Sequence, residues 1–156
     1  MLLLLLLLLP LAPCLCQSPC PPPWEDASLL GLGCLLFNST STYTWDAASQ
    51  YCQDQAGAAL LEIRTEAQLS HVTMVLGFLA SLEGGRDWWT GGTDQGREGR
   101  WYWGPSLAPV GAFLWEEDYP DGGLQQNCLY LCSGHSYMAH DDPCYASYYP
   151  ICQRQL

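Results

Sequence analysis

The chain has no lysine: its five basic residues are all arginine, against sixteen acids and a formal net charge of −11. Phosphate backbones and anionic membrane surfaces repel such a chain, which makes nucleic acid a poor partner and favours cations or basic proteins. The missing lysine also excludes a lysine-bearing phosphate loop, and there is neither a nucleophile elbow nor a His-Glu-x-x-His helix. Acids such as Glu117 and Asp121 come without the apolar pocket that would raise one pKa for glycosidase chemistry. The chain therefore reads as a binding protein and not as an enzyme. Long hydrophobic runs are scarce too. The leucines from Leu2 to Leu9 fall short of the roughly 20 residues of a spanning helix, and no later segment supplies a second candidate. Followed by Pro10 and by small residues at Cys14 and Cys16, they read as a secretory signal peptide over residues 1–16. That leaves residues 17–156 as one secreted domain without membrane insertion.

Cysteine is plentiful. Of nine, Cys14 and Cys16 leave with the signal, and the remaining seven imply three disulfides and one leftover thiol. Gly31-Leu32-Gly33-Cys34-Leu35-Leu36-Phe37 reads as a short apolar strand behind a glycine turn, and a Cys20–Cys34 bridge would close a small N-terminal hairpin. Asn38-Ser39-Thr40 is a glycosylation sequon. Thr44 can cap a helix whose Trp45, Ala48 and Cys52 share one face and which Gly57 stops. Thr65-Glu66-Ala67-Gln68 is a capping box, and Leu69, Val72, Leu76 and Leu79 continue as a core-facing stripe up to Gly84-Gly85. His71 on that helix reads as a solvated residue. Trp88-Trp89-Thr90 and Trp101-Tyr102-Trp103 suggest a hairpin around Gly96–Gly99. Residues 104–127 lack a periodic apolar pattern over a length at which a structureless loop is either functional or disordered. Alternation around Leu129-Tyr130-Leu131, Tyr145–Tyr149 and Ile151 suggests half-buried strands.

Trp89-Thr90-Gly91-Gly92, Trp101-Tyr102-Trp103, and Cys144 with Cys152 and Gln153 together resemble the motifs of the long-form C-type lectin-like domain, over roughly Cys20 to Gln153. The resemblance implies an α+β fold of two helices with small antiparallel sheets and a long loop region, stapled by Cys20–Cys34, Cys52–Cys152 and Cys128–Cys144. Cys132 is then left over. It is expected either to be buried beside the Cys128 bridge or to join two chains in a disulfide-linked dimer.

Lectins of this family carry Glu-Pro-Asn or Gln-Pro-Asp in the long loop, where this chain has Tyr119-Pro120-Asp121. A phenol is a poor Ca²⁺ ligand, and Gln126-Asn127 stands where the family often has Glu-Asp. Ala139-His140-Asp141 replaces Trp-Asn-Asp, so an imidazole takes the place of an amide oxygen. The resemblance thus implies a ligand-binding set of Tyr119, Pro120, Asp121, Gln126, Asn127, His140 and Asp141. It allows no more than a weak Ca²⁺ site on Asp121, Asp141 and Glu117, and requires no other cofactor. Trp115 is expected in the core and Tyr119 in contact with a glycan or an extracellular protein. The alternative is a working Ca²⁺-dependent lectin leaning to galactose through Pro120-Asp121. His135 and His140 can also be drawn as a pH-sensitive cluster, or with Cys132 and Cys144 as a zinc set that the Cys128–Cys144 bridge would break.

Overall fold

The computed structural model describes residues 18–156; the leucine run and the expected cleavage point lie outside the described residues. Ten elements follow in chain order: β1 (Glu25–Asp26), β2 (Cys34–Phe37), α1 (Trp45–Asp54), β3 (Ala59–Leu60), α2 (Glu66–Glu83), β4 (Trp88–Thr93), β5 (Tyr102–Trp103), β6 (Cys128–Cys132), β7 (Met138–Asp142) and β8 (Tyr149–Arg154). The strands run in the order β1-β2-β8-β4-β6-β7, with β3 added to β8 and β5 to β4. Every pairing is antiparallel except β4 with β8, which is parallel through Trp88↔Tyr149 and Trp89↔Pro150.

Local chemistry explains the helices. Thr44 Oγ1 accepts from Ala47 N at 3.4 Å, and α1 turns Ala48 and Cys52 into the protein. Thr65 Oγ1 accepts from Gln68 N at 3.2 Å. The capping box is displaced by one residue: Gln68 Oε1 accepts from Arg64 N at 2.7 Å, not from the Thr65 amide, while its Nε2 donates to Leu30 O at 2.9 Å. The same side chain that caps α2 therefore ties it to the N-terminal segment. Leu69, Val72 and Leu76 are buried as the stripe implies, with Leu79 packed at their edge. His71 is not simply solvated, because its Nε2 lies 2.8 Å from Glu25 Oε1 on β1. The opposite face of α2 exposes Met74, Phe78 and Leu82.

Strand β4 is buried along its whole length, and this is the physical content of its Trp-Trp-Thr-Gly-Gly-Thr sequence. Trp88 joins the larger core with Trp103, Leu129 and Ile151, and Trp89 joins a second cluster around Cys52, Cys128 and Cys152. A Cβ on Gly92 would come within 2.8 Å of Leu129 Cδ1, so only glycine lets β6 approach this closely. Disulfides join Cys20 to Cys34, Cys52 to Cys152 and Cys128 to Cys144. Cys52–Cys152 fastens α1 to β8 across 100 residues. The hairpin of β4 and β5 forms with Gly92 opposite Trp103. β7 is an element the sequence pattern misses, and Tyr145 to Ser147 precede β8 without joining it. Among the described residues no helix is long and apolar enough to cross a membrane.

Candidate functional site: the long loop and its anchors

The loop leaves β5 at Gly104 and returns at β6, and its middle is fastened to the core. Leu114, in the 3₁₀ turn Ala112–Leu114, is fully buried. Trp115 is half-buried and packs edge-on against Trp101, with centroids 4.9 Å apart, which makes it a structural tryptophan. Glu116 N donates to Ala139 O at 3.2 Å, so this part of the loop rides along β7. Asp118 then adopts a left-handed backbone with φ +72°, and the Tyr119–Pro120 bond is cis.

Three contacts fix the loop tip. The Tyr119 ring stacks on His140 at 3.6 Å, and Asp121 N and Gly122 N donate to Asp141 Oδ1 and Oδ2, each at 2.9 Å. Gln126 folds over Gly122, where a Cβ would lie 2.2 Å from its Cδ. Asn127 Nδ2 donates to Leu124 O at 3.2 Å. Pro120, Asp121 and Glu117 are exposed, and Glu116 is the acid of this run that turns inward, reaching within 3.9 Å of His135 Nδ1.

His140 and Asp141 are buried, at 2% and 4% exposure. Burial, then neighbouring His135, pushes the His140 imidazole below its ordinary pKa, and burial, then Asp121, pushes the Tyr119 phenol up. Both rings are neutral at pH 7. Behind them Tyr130 stacks on Tyr148 and Tyr148 meets Trp89, so an aromatic ladder runs from the loop tip into the core.

A second acidic group lies at the end of β4. Asp94 is 2% exposed and its Oδ2 accepts from Gly99 N at 2.7 Å, while Oδ1 has no partner. Burial chiefly raises its pKa, with Asp141 adding to the effect, and Glu98 is raised by burial, then Asp94 and Asp141. Asn127 Oδ1 is likewise buried and unpartnered. Asp94 and Glu98 escaped the sequence reading; their signal was an acid closing an apolar strand, with a second acid four residues on. Beside them, between the hairpin turn and the start of the loop, a cleft of about 620 Å³ is lined by Arg97, Arg100, Trp101, Tyr102, Leu107 and Pro109.

Calcium takes six to eight oxygens, and several members of the loop set are otherwise engaged in this structure. Both Asp141 oxygens are held by amides, Tyr119 is stacked on an imidazole, and His140 offers nitrogen. Asp94 Oδ1 and Asn127 Oδ1 are oxygens of the kind that calcium takes and have no hydrogen-bond partner of their own.

The family model described as Lectin C-type domain matches residues 41–154, and the chain belongs to this family. It is 30% identical over 137 residues to human C-type lectin domain family 17, member A, covering 87% of this chain and 32% of that protein. The chain thus spans about a third of that relative's length. Among solved structures it is similar to a Ca²⁺-dependent type II antifreeze protein in its Ca²⁺-free form, with TM-score 0.73, 27% identity, and coverage of 87% of this chain and 100% of the other. The mouse scavenger receptor C-type lectin carbohydrate-recognition domain shares the fold, with TM-score 0.71, 23% identity, and coverage of 87% and 96%.

Proposed function

We propose that this chain is a secreted C-type lectin-like binding module that recognises a glycan or an extracellular protein through residues 104–127, without needing a tightly bound calcium ion and without catalysing a reaction. The observation that supports this reading is the Asp141 carboxylate, whose two oxygens accept the Asp121 and Gly122 amides. A buried carboxylate that gives one lone pair of each oxygen to the loop's own amides holds the loop tip itself and keeps fewer acceptor sites for an ion. Pro120 and Asp121 then stay exposed for contact, with the outer part of Tyr119 beside them. The test is a glycan and protein array probed with and without Ca²⁺. Binding is expected to survive chelation and to weaken in Asp121→Ala; loss of all binding on chelation would overturn the reading.

The second reading is a Ca²⁺-dependent carbohydrate-binding lectin that leans to galactose through Pro120-Asp121. The unpartnered oxygens of Asp94 and Asn127 favour it. A ligand at 100 times its dissociation constant stabilises its protein by about 2.7 kcal/mol. This reading therefore requires a thermal shift on adding Ca²⁺ that disappears in Asp94→Asn.

A further inference from the structure

The turn between β6 and β7 gathers three metal-ligating side chains; His140 also stacks under Tyr119 at the loop tip, while Cys132 and His135 take no part in the loop-recognition reading. In the β6–β7 ladder Tyr130 pairs with His140 and Cys132 with Met138, so Cys132 and His140 lie diagonally on one face of the sheet. His135, in the 3₁₀ turn Ser133–His135, brings its ring to 4.7 Å from that of His140. One donor atom from each of Cys132, His135 and His140 lies within 4.8 Å of the others. His140 is 2% exposed, yet its Nε2 has no hydrogen-bond partner, although buried ring nitrogens are normally satisfied. Cys132 is the free thiol among the described residues and is half-buried against these imidazoles.

We propose that Cys132, His135 and His140 form a Zn²⁺ site, with the Glu116 carboxylate or a water completing the coordination. A thiolate and two imidazoles are the donors of a borderline-soft ion and not of calcium. Thiolate and carboxylate together balance the charge of the ion. Tetrahedral zinc, with bonds of about 2.0–2.3 Å, sets its ligands about 3.3–3.6 Å apart, so the donors have to close by roughly 1 Å. His135, on an exposed turn, has the freedom to make that movement. Cys144, the fourth ligand that sequence spacing would offer, is bonded to Cys128, and Glu116 Oε1, 3.9 Å from His135 Nδ1, stands nearby instead. Because Tyr119 stacks on His140, an ion here would also stiffen the loop tip from beneath. The site is independent of how the calcium question resolves.

The test uses the secreted chain, stripped of metal by chelator dialysis, titrated with Zn²⁺ against a chromogenic chelator and with Co²⁺ in a spectrometer. One ion per chain is expected, together with a thiolate-to-cobalt charge-transfer band. Cys132→Ser should abolish the band and weaken Zn²⁺ at least 100-fold, since even partners outside the ligand set are worth about 10- to 100-fold. His135→Gln, on the exposed turn, should weaken Zn²⁺ at least 10-fold while leaving the metal-free melting temperature unchanged. Asp121→Ala should retain Zn²⁺ fully, which separates this site from any calcium-dependent behaviour of the loop. Failure to bind Zn²⁺, undiminished binding in both ligand variants, or a Cys132 consumed in a disulfide between two chains would each overturn the proposal.

Discussion

Asp141 carries a disproportionate share of the loop's geometry, because a single buried carboxylate takes two consecutive backbone amides. Replacing one oxygen by an amino group sets donor against donor. Asp141→Asn should therefore cost about 1–3 kcal/mol and speed proteolysis within residues 118–123, measured by chemical unfolding and peptide mapping. Asp94 behaves in the opposite way. Burial holds its folded pKa above the unfolded one, so the ionised form weighs against folding at neutral pH, and this cost is relieved as pH falls through the folded pKa. Asp94→Asn keeps an acceptor for Gly99 N and removes the buried charge. In the presence of chelator it should melt at or above the parent temperature at pH 7, and that difference should close in acid. A lower melting point at pH 7 would show that the ionised carboxylate is held by favourable contacts. At this scale the resemblance singled out Asp121, His140 and Asp141, but nothing in it implied that the Asp121 amide bonds to the Asp141 carboxylate. Two positions twenty residues apart meet only because β7 and the loop run side by side.

At the scale of elements, legibility followed the locality of the signal. Both helices announce themselves through a capping threonine and a three-to-four spacing, and β4 and β5 through tryptophans flanking a glycine turn, all within windows of a few residues. β7 does not: Met138-Ala139-His140-Asp141-Asp142 carries no apolar alternation, and it is a strand because β6 supplies its ladder and the loop covers its polar groups. The parallel contact of β4 with β8 is equally non-local. Packing gives the corresponding prediction for α2. Leu76 is fully buried in the main core, so Leu76→Ala should lower stability by about 3 kcal/mol, read as a shifted denaturant midpoint with unchanged slope. Phe78→Ala on the exposed face should leave that midpoint nearly where it was.

For the whole molecule, the family resemblance accounts for the two helices, the small sheets and the long loop, and the matching lectin-domain model and solved structures agree with it. Counting cysteines limited the bridges to three without choosing among pairings, since connectivity depends on which strands become neighbours in space. The longest closure, Cys52–Cys152, should matter most: replacing both by serine is expected to remove about 2–5 kcal/mol, seen as a large fall in melting temperature. The sheet also has a mechanical corollary. Cys34 pairs with Arg154, and Cys20 is bonded to Cys34, so both described ends of the chain emerge beside the same antiparallel pair of strands. Tension applied to those ends would unzip β2 from β8 one rung at a time. The tear would meet a covalent stop at Cys152, two residues in, where the load passes through sulfur into α1. Built this way, the domain would keep its loop in shape under a pull on its two described ends.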